Sequence, residues 1–485
     1  MATESHEAAP PGAEDLGSRA VRNTVLVLSA RIVSRLVSLV VVIVLANHLG
    51  AGSYGRYTTL IAYSALVSVV SDLGLRTLYT REAARDPGRL PEYLGTLMVG
   101  EIGLCAAAFA LLAISLTLTG LGDLVVPGGA LLVLTTYANL LRNTFYARGR
   151  LEFEAAAVLA EAAIQAGLII LGARRGAGVG YFVWAYAASY AFTIGFSLVV
   201  IPLFRLGRLR FAFDPALFGR WVRLAMPFAV GFFLTNLYFR ADVPILQHFK
   251  PFSEVGWYTF AYKPFEALQF VPLAVQAVVY PVLSVYFRSS PDRLALGYER
   301  FFKILVLLGW PLTVGTLVLT HPIGRLFRLY PESEPALRIL AVAIVFLFAN
   351  SAFVAMLYSI DRQDLFAWAT GIAVVVNVGL NLLLIPTFGY LAAASTTVVT
   401  EAAFSVAGWW FVARRHRLPW LRLSWRVLMA GALMGGALLP LASRPIYLSV
   451  PVAVVVYAVA LWLLRAVDRV EVDLVRRGLR LRAAA

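Results

Sequence analysis

Ionisable side chains recur inside stretches of the sequence that are otherwise apolar. The cations are Arg31, Arg35, Arg76, Arg142, Arg240, Lys263 and Arg338, and the anions include Asp72, Glu101, Glu161, Asp242, Glu266 and Glu401. Near the middle of a bilayer each such group costs about 2.5–3.5 kcal/mol on insertion scales, so a chain that keeps them places them in a bundle interior or a water-filled cavity. The near balance of signs implies partial internal pairing. Arg31 and Arg35 are four residues apart and share a helix face with Ser38. At ~1.5 Å per residue, Arg35 lies roughly 16 Å into its segment, near the midplane; snorkelling to the inner headgroups is the other reading of this pair. Asp72 and Arg76 have the spacing of an intrahelical ion pair. Lys263 and Glu266 form a polar stripe with Gln269, as cavity lining or as an ion pair that ties two helices. Arg240 and Asp242 point to different faces, so one of them needs a partner on another helix. Asn377 and Asn381 form a further stripe suited to hydrogen bonding between helices.

Guanidinium and ammonium groups are phosphate ligands, so a cationic cavity in a membrane suits an anionic substrate. A pathway for protons or sodium alone would be lined by carboxylates. The substrate-binding candidates are therefore Arg31, Arg35 and Lys263, with Arg76 and Arg240 behind them, and Glu101, Asp242 and Glu401 are candidates for ion coupling. Nothing points to catalysis or to a cofactor: there is no HExxH, P-loop or nucleophile elbow, and Gly176–Gly180 connects two apolar segments instead of a strand and a helix. The sole cysteine, Cys105, lies within the third apolar segment, which rules out an intrachain disulfide and a Cys-based metal site. His48, His248 and His321 stand at the outer ends of separate segments, where interfacial hydrogen bonding is expected and a metal site is not.

The elements that must position these groups follow from composition. Of 485 residues, 60% are hydrophobic and 14% charged, too little polar surface to cover a soluble globule. Apolar runs of about 20 residues, the length that crosses ~30 Å of hydrocarbon, recur along the chain. They predict an all-α integral membrane protein with about fourteen transmembrane helices, the first over 24–47 and the last over 446–465. The runs lack the alternation of lipid-facing barrel strands. Short loops leave no place for the outer domain of a membrane glycosyltransferase or sugar polymerase.

The net charge of +15 does not indicate a nucleic-acid partner, because the cations fall in alternate loops. With the amino terminus inside, 28 of the 42 Lys and Arg residues lie in cytoplasmic segments and seven in the opposite loops. This asymmetry predicts a multi-pass protein of the cytoplasmic membrane with both termini cytoplasmic. The predicted organisation is a disordered tail over 1–18, an amino-terminal lobe of six helices over 19–204, and a linker over 205–223. A second six-helix lobe over 224–413, helices thirteen and fourteen over 414–465 and a basic tail over 466–485 complete it. The linker mixes Phe211, Phe213, Leu217, Phe218 and Trp221 with Arg208, Arg210, Arg220 and Arg223, the pattern of a helix on the anionic inner leaflet.

An internal repeat relates the two lobes. The exit of the first segment, His48-Leu49-Gly50-Ala51-Gly52-Ser53-Tyr54-Gly55-Arg56-Tyr57-Thr58, parallels that of the seventh, His248 to Thr259, with one inserted residue. Tyr146 to Phe153 parallels Tyr358 to Phe366, and Gly180-Tyr181 parallels Gly389-Tyr390. Six helices separate matching positions, so the repeat is parallel, with its pseudo-two-fold along the membrane normal.

The stretches Ala30-Arg31-Ile32-Val33-Ser34-Arg35 and Leu45 to Tyr57, then Ser71-Asp72-Leu73-Gly74-Leu75 and Thr80-Arg81-Glu82-Ala83, resemble the opening of the oligosaccharide flippases. These belong to the multidrug, oligosaccharidyl-lipid and polysaccharide exporter superfamily. Leu224-Ala225-Met226-Pro227-Phe228, Tyr280-Pro281-Val282-Leu283-Ser284 and Asn381 to Pro386 with Gly389-Tyr390 resemble its later landmarks, and the similarity runs over about residues 20 to 415. The resemblance implies two six-helix lobes in a V around a cavity that opens alternately to each side. It implies a flippase for a polyprenyl-pyrophosphate-linked oligosaccharide in cell-surface polysaccharide biosynthesis, with membrane lipids, a polysaccharide polymerase and glycosyltransferases as partners. A lipid II flippase and a multidrug or cation antiporter of the same superfamily are the alternatives, in that order. Arg where antiporters often carry an acidic residue in the first span sets the last of these apart. Outside the class stands a membrane scaffold without transport, which would need no polar lumen.

Overall fold

A computed structural model describes residues 13–209, 211–414, 416 and 418–467, with side chains from residue 26 onward. Residues 1–12 of the amino-terminal tail and most of the basic tail at 466–485 lie outside the described residues. Among the described residues the chain is built of helices alone: α1 (Ala13–Asp72), α2 (Leu75–Arg85), α3 (Leu90–Leu118), α4 (Val125–Ala147), α5 (Leu151–Arg174), α6 (Val179–Leu203), α7 (Pro215–Arg240) and α8 (Asp242–Phe249). They continue as α9 (Phe252–Leu268), α10 (Phe270–Ser289), α11 (Pro291–Val318), α12 (Thr320–Phe327), α13 (Ser333–Ser359), α14 (Gln363–Ala413), α15 (Trp420–Leu438) and α16 (Ile446–Leu463), with two short 3-10 turns.

Among the described residues, twelve helical stretches are long and apolar enough to cross a membrane. Two of them, Leu26–Asp72 and Gln363–Ala413, are 47 and 51 residues long, about twice what a bilayer needs. Each contains one residue with non-helical backbone angles, Gly50 at φ 71, ψ 166 and Gly389 at φ 59, ψ −140. Dividing the two at these glycines yields the fourteen spans expected. Gly389 sits in a region that only glycine occupies readily. There the Glu254 carboxylate accepts a hydrogen bond from the Tyr390 backbone N–H at 3.0 Å, and a Cβ on Gly389 would overlap that carboxylate. Span eight breaks differently. Pro272 lacks the N–H that would bond the Leu268 carbonyl, and helices α9 and α10 meet at Gln269.

The chain divides into two compact units, residues 1–49 with 60–233, and residues 50–59 with 234–485. In the first, Leu75, Leu78 and Tyr79 of α2, Leu90 and Leu94 of α3, Leu140 and Phe145 of α4 and Ile201 of α6 form the core with Leu217 and Trp221. The last two belong to α7, so the second part of the basic linker is the first two turns of a long helix whose apolar face is buried. In the second unit, α11, α13 and α15 supply most of the core, including Phe301, Leu305, Phe348, Met356 and Val427.

The ten residues Gly50–Thr59 pack within the second unit, across the start of α9. A Cβ on Gly55 would overlap the Phe252 carbonyl oxygen, and one on Gly256 would overlap that of Ala51. Thr58 and Thr259 share a hydrogen bond between their hydroxyls at 3.1 Å. Ala51, Gly55 and Thr58 precede Phe252, Gly256 and Thr259 by the same offset. Each segment therefore offers the other the same surface it receives, the self-complementarity of an isologous contact about a two-fold axis. This is the repeat read from the sequence, made physical by two glycines that let backbones touch.

Candidate functional site

In the first unit the charges gather in two places. Arg142 on α4 donates through Nη2 and Nε to Glu154 on α5 at 2.7 and 2.9 Å, and pairs with Glu161 at 3.4 Å. Glu154 also accepts from Tyr146 and from Arg31 Nη2, both at 3.1 Å, and Thr193 on α6 donates to Glu161 at 2.8 Å. Glu154 and Glu161 are seven apart, so the two stand two turns apart on one face of α5. The cluster holds two cations and two anions and is internally balanced. Arg142 is a structural counterion, 12% exposed; the Arg31 side chain is half exposed and keeps a face open beside its partners. Arg35, one turn further, is exposed and has no hydrogen bond or ion pair among the described residues.

The second place is the junction after span two. Helix α1 stops at Asp72, Leu73 and Gly74 take positive φ of 45° and 74°, and α2 begins at Leu75. Asp72 Oδ1 accepts from the Arg76 backbone N–H at 3.2 Å and from its Nε at 2.7 Å. The pair read as two residues on one continuous helix thus bridges a break and anchors the start of α2. Glu101, on α3, is fully buried nearby, and neither of its carboxylate oxygens has a hydrogen-bond partner among the described residues.

The second unit repeats the division between balanced and unbalanced clusters. Lys263 Nζ donates to Glu266 Oε2 at 2.7 Å, and Arg240 approaches Glu266 Oε1 at 3.6 Å, so one carboxylate answers two cations. Gln269, at the α9–α10 break, buries its amide nitrogen without a partner, continuing the polar stripe. Asp242 turns the other way, as its face predicts, and accepts from the Tyr258 hydroxyl and the Val243 N–H. Glu401 is held by neutral donors, the Tyr238 hydroxyl at 2.7 Å and the Asn350 amide at 2.7 Å, with Ser405 donating to Asn350 at 2.6 Å. Asn377 donates to Thr400 at 3.2 Å and accepts from Asn381 at 3.0 Å, which ties the two limbs of α14 together.

Of the side chains singled out in the sequence, Arg31 joins the Glu154 cluster, Arg76 joins Asp72, and Arg240 meets Lys263 over Glu266. Glu101, Asp242 and Glu401 are all buried but in three separate environments. Sequence reasoning missed Glu154, which stands at the first turn of its helix and looks like an interfacial residue; its seven-residue spacing to Glu161 was the available signal. It also missed the Tyr238, Asn350 and Ser405 shell of Glu401, which has no spacing signature because it comes from three helices. His48 Nε2 donates to the Ala177 carbonyl at 3.0 Å and His321 bonds Glu334 at 3.0 Å, the interfacial roles expected of them.

Helices of this number and apolar length, among the described residues, define a multi-pass α-helical membrane protein. Its fold matches the lipid II flippase MurJ in an inward closed conformation with a TM-score of 0.74 and 13% identity, over 90% of this chain and 98% of that one. It also matches an inward-facing multidrug resistance MATE family transporter of the MOP superfamily at a TM-score of 0.62 and 16% identity, over 79% of this chain and 94% of that one. At such identities the likeness establishes the fold. Family membership comes from the sequence: residues 20–287, more than half of the chain, match the family described as polysaccharide biosynthesis protein, and residues 227–383 match the MatE family. The chain belongs to the polysaccharide biosynthesis protein family. An uncharacterized membrane protein of Methanocaldococcus jannaschii is 30% identical over 150 residues; the match spans 29% of that protein's length and 30% of this chain.

Proposed function

We propose that the protein translocates a polyprenyl-pyrophosphate-linked oligosaccharide across the cytoplasmic membrane by alternating access, as a step in cell-surface polysaccharide biosynthesis. The observation that carries the reading is the excess of cation over anion at the non-structural sites. Arg35 has no hydrogen bond or ion pair among the described residues, and Arg240 and Lys263 both pair with the carboxylate of Glu266. A pyrophosphate supplies the missing negative charge, and guanidinium and ammonium donors bind it through charge-assisted hydrogen bonds. Arg31, half exposed beside Glu154, and Arg76, beside Asp72, are further candidate phosphate ligands in the first unit. The family assignment supports a lipid-linked sugar as cargo. Both termini are cytoplasmic in this reading, and a charged carrier lipid would feel the membrane potential, worth ~2.3 kcal/mol per charge per 100 mV.

Purified protein in vesicles containing a labelled polyprenyl-pyrophosphate oligosaccharide tests the proposal, scored by exposure of label to an impermeant reagent. Protein-dependent movement is expected. Movement no faster than in protein-free vesicles rejects it. The fold match to MurJ makes lipid II the comparison substrate, and faster movement of lipid II than of the oligosaccharide would reassign the cargo.

A further inference from the structure

Glu101 is the outlier among the buried acids. Asp242 and Glu401 each receive donors, and Glu154 receives two guanidinium groups, whereas both oxygens of Glu101 are buried and unbonded. An ionised carboxylate in that state is among the costliest groups a fold can carry, and a protein avoids the cost by holding the neutral acid. A metal cation is a poor alternative, since no group of three or more His, Cys, Asp or Glu side chains converges anywhere among the described residues.

The charged and titratable groups that act on Glu101 are few. Asp72 and Arg76 face it from the junction of α1 and α2, Cys105 stands one turn along its own helix, and Tyr137 faces it from α4. Tyr137 spends its hydroxyl proton on the Met98 carbonyl at 2.9 Å, and Cys105 is a weak donor, so neither neutralises a charge. Among the described residues, Arg76 is the cation whose charge acts on Glu101. It is held by Asp72 at 2.7 Å, and its side chain is 15% exposed. The residue sits where α1 gives way to α2 through two positive-φ residues, a junction with no continuous ladder of backbone hydrogen bonds to fix it.

We propose that Glu101 is a proton-binding site and that Arg76 is its exchangeable counter-charge. With the proton on Glu101, Arg76 stays with Asp72. When the carboxyl O–H bond breaks and the proton leaves to the water that reaches Arg76, the guanidinium turns from Asp72 to the new carboxylate. Because Arg76 is also one of the cations assigned to the anionic cargo, proton occupancy and cargo binding compete for one guanidinium. That last link rests on the flippase reading; the proton site does not.

Infrared difference spectra of the purified full-length protein, without cargo, between acidic and alkaline buffer test the site. The wild type should lose a protonated-carboxyl stretch, sensitive to D2O, and gain a carboxylate band. Glu101→Gln should lack that component, while the components from Asp242 and Glu401 persist. Arg76→Gln should keep the protonated band in buffer about one pH unit or more further alkaline, because the cation that favours the carboxylate is gone. If Glu101→Gln does not fold, Glu101→Asp serves in its place and should shift the frequency of the same component. A wild-type difference spectrum unchanged by Glu101→Gln or Glu101→Asp overturns the proposal, and so does an Arg76→Gln titration that superposes on the wild type. Neither result touches the vesicle assay of cargo movement, so the two readings fail separately.

Discussion

An arginine in a membrane helix has two fates, and this chain shows both. Arg142 is enclosed by Glu154 and Glu161, and Arg35 has no partner among the described residues. The consequences of substitution should separate accordingly. Glu154→Gln leaves Arg142 with one ion pair at 3.4 Å and a buried charge poorly answered, and breaking a buried pair from one side costs about 3–5 kcal/mol. Its thermal unfolding midpoint in detergent should fall well below wild type. Arg35→Ala should leave that midpoint where it is, since no bond is lost, yet abolish both vesicle transport and binding of undecaprenyl pyrophosphate. Lys263→Ala should likewise abolish transport and binding, with Arg240 left to hold Glu266. Unchanged affinity in both variants would defeat the assignment of the pyrophosphate ligands, even if transport fell.

At the level of elements, glycines decide where one helix becomes two and where two backbones may meet. Gly389 combines a glycine-only conformation with the Glu254 carboxylate lodged where a Cβ would go, whereas Gly371, in the same helix, has ordinary angles and open space around it. Gly389→Ala should destabilise by about 1–3 kcal/mol or more through strain and overlap. Gly371→Ala should do the opposite, by at most about 1 kcal/mol of helix propensity. Paired melting curves read the sign directly; equal shifts would mean that the kink is not held by Gly389. The Gly55–Gly256 crossing makes a second case. Because each glycine meets a backbone carbonyl and no flexible side chain stands between, Gly55→Ala and Gly256→Ala should lower the midpoint to similar extents, as the symmetry of the contact requires.

For the whole molecule, the sequence of spans and loop charges fixes an expected topology. In that expectation the connections carrying most of the cations face the cytoplasm, and those such as Arg174-Arg175 face the other side. In a Cys105→Ala background, Pro87→Cys and Arg175→Cys occupy exposed turns on opposite sides of the predicted membrane. An impermeant thiol reagent applied to intact cells should label Arg175→Cys alone, and opening the cells should expose Pro87→Cys. Labelling of both from outside would overturn the fourteen-span arrangement with cytoplasmic termini.

The sequence alone determined the class of the protein, because the requirement that a bilayer imposes on apolar length acts on contiguous residues and is visible without a fold. It determined the repeat for a similar reason: the recurring His, Gly, Tyr and Thr around Gly55 and Gly256 are a local pattern. It also located most of the charges that matter, since an ionisable residue in an apolar run is conspicuous by itself. Partnership was another matter. Whether Arg31 snorkels or binds Glu154, whether Asp72 pairs along a helix or across a break, and whether Glu101 is satisfied or stranded depend on which helices lie side by side. Those neighbours are tens to hundreds of residues away in the chain, and no spacing rule reaches across that distance. Only the tertiary structure could show that Glu154 is spoken for and Arg35 is not, because the energy of a buried charge is set by the few groups within hydrogen-bond reach of it.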